Sequence, residues 1–227
     1  MRLIYCVLLL VCTSCFYRQI PDQVSQIYRR EMPGILAPQK EQLIVIDAGH
    51  GGRDTGSASK LEDYEEKTLT LETALRVNGF LKELGYKTIL TRHNDTYVPL
   101  TTRSEIANSV KADLFVSIHY NYCPSREARG VEIFFYKEIP PRSKRVQESR
   151  MLGEQVSSHI VKYTGMHTRG LKEGNLAVIR ETEMPAILIE AGFLSNPTER
   201  AKLKDPQHQK ALAWGIAKGI DHYLNIP

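Results

Sequence analysis

The sequence predicts an α/β fold, a mainly parallel twisted sheet of about six strands flanked by helices on both faces. Two observations carry that expectation. Short apolar runs that stop abruptly at polar residues recur along the chain, and amphipathic stretches at helical spacing separate them. The runs are Leu43–Ile46, Lys87–Leu90, Leu114–Ile118, Val131–Phe135, Leu176–Ile179 and Ala186–Ile189. Leu-Ile-Val-Ile at 43–46, ended by Asp47, has the continuous apolarity of a strand covered on both faces.

The first helix is read from Leu69, Leu71, Ala74, Leu75, Val77, Phe80, Leu81 and Leu84, with Gly85 as its stop. Residues 106–110, 151–161 and 211–224 read as further helices. No internal repeat or low-complexity block interrupts this order, and the chain length suits one core. The 30 basic and 26 acidic residues are interspersed rather than gathered into a stripe, so the net charge of +4 gives no basis for a nucleic-acid partner.

Ahead of the domain, Arg2 and the apolar run Leu3–Cys12 have the character of a signal peptide, too short to span a bilayer. No alanine occurs before Ala37, and the small-residue junction is Thr13-Ser14 followed by Cys15. Residues 1–15 therefore resemble a lipoprotein-type signal with Cys15 lipidated, although Cys12 stands where such signals usually carry Leu. An ordinary cleaved signal or a retained anchor is the alternative. Residues 16–40, with Pro21, Pro33, Gly34 and Pro38, read as a linker or tether, and 41–227 as the folded domain. Cys123 is the one thiol outside the leader, so no disulfide within the domain is expected.

In open α/β sheets, reactive groups collect beyond the carboxyl ends of strands. Three expected strands end in such groups: one runs into Asp47-Ala48-Gly49-His50-Gly51-Gly52, another into Ser117-Ile118-His119-Tyr120-Asn121, and the last into Glu190-Ala191-Gly192-Phe193. Glycines beside His50 let a tight loop turn the imidazole over the sheet edge. A zinc hydrolase needs about three protein ligands and an open position for water. His50 and His119 supply two. The third must be a further His, Cys or carboxylate that reaches the same strand ends; Glu66, at the start of the first helix, fits, while Glu65 is equally good from spacing alone. Glu190 is placed at a strand end to take a proton.

These blocks together resemble the zinc-dependent N-acetylmuramoyl-L-alanine amidase family, the catalytic domain of bacterial cell-division and sporulation amidases. Besides the strand-end motifs, the resemblance rests on Glu66-Lys67, Thr91-Arg92, Asp95, Arg103, Asn108 and the run Met184–Asn196, in order from about Leu43 to Leu224. It implies zinc held by His50, Glu66 and His119, Glu190 as catalytic acid/base, and peptidoglycan as substrate. The cut would separate N-acetylmuramic acid from the L-alanine of the stem peptide, on the periplasmic side of the cytoplasmic membrane or in the envelope. The family usually carries Asn at the position of Thr70. Several division amidases also insert a long blocking helix, whereas the segment from Tyr136 to Met151 is short, which implies an uncovered site.

Less specific candidates are Asn121 and Asn175, as substrate contacts or loop ties, and Arg92 and Arg103, as carboxylate binders or structural ion-pair partners. Ser57-Ala58-Ser59-Lys60 spells the nucleophile motif of penicillin-sensitive serine carboxypeptidases, without an accompanying Lys-Thr-Gly block. A second rival is an amidase-like domain that grips peptidoglycan without cutting it.

Overall fold

The computed structural model of the chain describes residues 39–57, 65–137 and 143–226. The expected signal peptide, Cys15 and most of the tether lie outside these residues, as does Lys60. No helix among the described residues is long and apolar enough to cross a membrane.

The elements run β1 (Leu43–Ala48), α1 (Glu66–Glu83), β2 (Lys87–Leu90), α2 (Leu100–Ser109), β3 (Leu114–Asn121), β4 (Val131–Tyr136), α3 (Lys144–Thr164), β5 (Thr168–Gly174), α4 (Ala177–Arg180), β6 (Ala186–Phe193), α5 (Pro197–Lys204) and α6 (Pro206–Leu224). The sheet order is β2-β1-β3-β6-β4-β5. The strands β2, β1, β3 and β6 are parallel, whereas β4 runs antiparallel to β6 and carries β5 parallel beside it. The mainly parallel α/β expectation is met, with two reversed strands at one edge.

Alternation along the strands sorts the core into two layers. Val45, Phe115, Ala186 and Leu188 join Ala107 of α2 and Val178 and Ile179 of α4. On the opposite face, Leu69, Val77 and Leu81 of α1 and Trp214 of α6 are buried. Here α6 crosses α3 so closely that a Cβ on Gly219 would sit 2.5 Å from the Val156 Cα; only glycine permits that approach. At the amino ends of the strands, Lys40 donates to Asp221 at 2.8 Å and to the Tyr86 hydroxyl at 2.9 Å, clipping the entry to β1 onto α6.

One expected strand is corrected. Leu176–Ile179 is not a strand: Ala177–Arg180 forms a single helical turn whose Val178 and Ile179 enter the core. The fifth strand is Thr168–Gly174, which holds one apolar residue, Leu171, because an edge strand need not bury both faces. The second and third helices begin earlier than expected, and one further short helix was not expected at all. The second begins directly after Pro99 and turns Arg103, Ser104 and Ala107 inward, so its face lacks an apolar stripe. The third extends from Ser143, whose hydroxyl caps it, to Gly165 in the left-handed region. The short α5, capped by Asn196, carries one buried residue, Leu203, and leaves no periodic signal.

Candidate active site

The loop leaving β1 is held from below by a buried ion pair. Asp47 is fully buried, and its carboxylate accepts from Arg103 at 2.8 Å, Thr91 at 2.6 Å and Ser117 at 2.6 Å. Burial alone would raise this carboxyl, but Arg103 and the two hydroxyls outweigh it and hold it below the usual carboxylate range. The remaining Arg103 donors take the carbonyls of Val98, Ala48 and His50. Arg92 donates to the carbonyls of Ala48, Gly49, Asn94 and Lys67 and to the Thr70 hydroxyl. Both arginines are buried and committed to shaping this loop. Thr70, where the family pattern has Asn, completes the hold by donating to the Gly49 carbonyl at 2.7 Å.

The loop turns His50 over the sheet edge with the histidine itself at φ 62°, a conformation the sequence suggested only for the neighbouring glycines. Its Nδ1 faces the Asp54 carboxylate at 2.9 Å. His119, at the end of β3, crosses the His50 ring edge-on, and a Cβ on Gly49 would lie 2.3 Å from the His119 ring. Glycine at 49 therefore makes the space in which the second imidazole sits.

Glu66 is the carboxylate that meets both rings. It opens α1, is 2% exposed, and its Oε1 lies 3.0 Å from His50 Nε2 and 3.3 Å from His119 Nδ1. Glu65, the alternative from spacing, is half exposed and pairs with Lys67. The two ring nitrogens are 3.1 Å apart, so the three donor atoms form a nearly equilateral triangle. Tetrahedral zinc at about 2.0–2.1 Å from its ligands spaces them roughly 3.3 Å apart, and a nitrogen-nitrogen-oxygen set suits that ion. Burial would raise the Glu66 carboxyl, but His119 and His50 hold it far below its ordinary range. Its Oε2 is fixed separately by the Ser57 amide at 2.9 Å and hydroxyl at 2.8 Å.

Glu190 pairs in register with His119 across β3 and β6, so both side chains leave the same face. Its Oε2 is shielded from solvent and has no hydrogen-bond partner. Burial pushes this carboxyl up to about 7, against the lowering influence of His119 and with the help of Glu66 and Glu132. The triad and Glu190 face a cavity of about 430 Å³ whose opposite wall is Leu100, Tyr122, Leu176 and Val178.

Of the remaining candidates, Asn121 borders this cavity and donates to Glu132, while exposed Asn175 accepts from Arg180. The Ser57 hydroxyl, committed to Glu66, leaves the serine-nucleophile reading without support. Sequence reasoning missed Asp54, Ser57 in its role beside Glu66, and Glu132. An acid four residues after His50 in a glycine-rich loop was a usable signal for the first, and an acid inside the apolar run Val131–Tyr136 for the last.

The fold and this site define a member of the N-acetylmuramoyl-L-alanine amidase family, whose model matches residues 44–222; the chain belongs to it. Among its relatives, the probable cell wall amidase LytH of Staphylococcus epidermidis is 35% identical over 189 residues, covering 83% of this chain and 60% of that protein. This chain thus spans about 60% of the length of such curated relatives. The catalytic domain of CwlV, an N-acetylmuramoyl-L-alanine amidase from Bacillus (Paenibacillus) polymyxa var. colistinus, matches with 39% identity and a TM-score of 0.70, over 82% of this chain and 99% of that one. The N-acetylmuramoyl-L-alanine amidase of Clostridium difficile 630 matches with 38% identity and a TM-score of 0.74, over 84% and 98%.

Proposed function

We propose that this chain is a zinc-dependent peptidoglycan amidase that hydrolyses the bond between the lactyl group of N-acetylmuramic acid and the L-alanine of the stem peptide. The observation that carries this reading is the triangle of His50 Nε2, Glu66 Oε1 and His119 Nδ1 at 3.0, 3.1 and 3.3 Å. Zinc held there would polarise the scissile carbonyl and make a water more acidic. Glu190 takes the proton of the attacking water and delivers it to the departing alanine nitrogen. Asp54 orients His50 through Nδ1, and Ser57 fixes the far oxygen of Glu66, so the ligand atoms are positioned before the ion arrives. The apolar wall of Leu100, Leu176 and Val178 limits water at the reacting bond.

A domain that only gripped peptidoglycan would have no use for an unpartnered buried carboxyl, whose retention costs stability. The leader-like segment supports action outside the cytoplasmic membrane, with Cys15 as a lipid tether. The shortness of the segment from Tyr136 to Met151 supports activity without an activating partner.

The test is to titrate zinc into purified protein, then digest muropeptides and identify the new ends by mass spectrometry. A free lactyl-ended sugar and an L-alanine amino terminus are expected, both lost with chelator and with Glu190→Gln. Cleavage at another bond, or full zinc binding after loss of both His50 and His119, overturns the reading.

A further inference from the structure

Beyond the triad, the row of polar side chains continues across the sheet. Glu132 on β4 stands directly opposite Glu190 on β6 and leaves the sheet on the same face. It is 3% exposed, and its carboxylate is shared among three donors. Asn121 donates to Oε2 at 3.0 Å, while Arg169 Nε and Lys172 Nζ, both on β5, donate to Oε1.

Residues three apart on a regular strand point to opposite faces. Arg169 and Lys172 reach the same carboxylate because the register of β5 against β4 shifts between Val131 and Ile133, where Gly170 adopts φ 79°. The bulge turns Arg169 onto the face that Lys172 already occupies, and the guanidinium lies 5.2 Å from the Phe193 ring centroid. Asn121 already satisfies Oε2, and one cation would neutralise Glu132. The second leaves a net positive charge, on two side chains about two-fifths exposed. Among the described residues, the two Nη groups of Arg169 have no hydrogen-bond partner.

We propose that Arg169 and Lys172 form a carboxylate-binding subsite for the stem peptide, with Glu132 and the bulge at Gly170 holding the pair in position. This rests on the amidase reading. Around the scissile bond only the peptide side offers a carboxylate, since the lactyl carboxyl is consumed in the amide and N-acetylated sugars are uncharged. Neighbouring strands are about 4.8 Å apart, so β5 lies about 10 Å from Glu190, the span of roughly three extended residues. The stem peptide therefore runs from β6 over β4 to β5, and the glycan lies on the β1 side.

The experiment compares zinc-loaded wild-type protein on paired muropeptides that differ only in whether the second or third stem residue carries a free or an amidated carboxyl. At low salt, kcat/KM is expected to be about tenfold higher for the free acid at one of these positions. The preference resides in KM and shrinks as salt rises. In Arg169→Gln and in Lys172→Gln the acid-to-amide ratio falls toward one. Equal rates on acid and amide by the wild-type protein overturn the subsite while leaving the amidase reading intact. A ratio unchanged in both variants also overturns it. Failure of the zinc-loaded wild type to cut any muropeptide overturns the amidase reading itself.

Discussion

His50 Nδ1 and Asp54 Oδ2 are 2.9 Å apart, and this contact fixes which nitrogen of His50 is offered to the cavity. With Nδ1 turned to a carboxylate, Nε2 is the atom left facing Glu66 and His119. Asp54→Asn is expected to weaken zinc about 10- to 100-fold while leaving the fold intact. Competition against a chromogenic chelator measures the affinity, and an unchanged constant would remove Asp54 from this role.

Glu190→Gln separates stability from chemistry. The Glu190 carboxyl, raised from 4.5 to about 7, penalises the metal-free fold once it ionises. The penalty is absent below pH 4.5, builds as pH rises from there to about 7 and is complete above it. Metal-free Glu190→Gln should therefore match wild type at pH 4 and exceed its stability by about 1–3 kcal/mol at pH 8, while hydrolysis falls at least about 100-fold. Urea denaturation at the two pH values checks the first part, and muropeptide digestion the second.

Arg103→Met leaves the Asp47 charge buried without its cation and is expected to cost about 3–5 kcal/mol at pH 7. In the wild-type protein the depressed Asp47 carboxyl contributes stability that is present above its ordinary value of 3.8 and lost as pH falls below it. The deficit of the variant should thus narrow on acidification. A deficit independent of pH would show that lost packing, not the ion pair, dominates.

Gly49→Ala places a methyl group where the His119 ring lies. The ring must move, opening the donor triangle. Zinc affinity is expected to fall about 100-fold or more, with the melting temperature changing far less than in Arg103→Met. Wild-type affinity in this variant would mean that the loop, not the ring, gives way.

Much of this arrangement was legible in the residues. Leu43–Ile46 and Ala186–Ile189 announce strands because both faces are covered, and their polar ends announce the site. The fifth strand was hidden because Thr168–Gly174 spends its side chains on charge and a bulge rather than on core. Leu176–Ile179 misled because a short apolar run serves a buried helical turn as well as a strand. Spacing left Glu65 and Glu66 equivalent; the family resemblance pointed to Glu66, and the direction of the first turn of α1 carries Glu66 to both rings while Glu65 pairs with Lys67. Glu132 stood out only as an acid inside an apolar run; its partners could not be read, because Arg169 and Lys172 come from β5, distant in sequence, and Asn121 from β3.

The clip between Lys40 and Asp221 brings the beginning of the domain and its final helix together at the amino ends of the strands, while every reacting group lies at the carboxyl ends. Lys40 and the last turns of α6 thus sit at the pole opposite His50, His119 and Glu190. A tag fused beyond the end of α6 is therefore expected to leave the zinc affinity of the His50, Glu66 and His119 triangle unchanged, which the chelator competition can check.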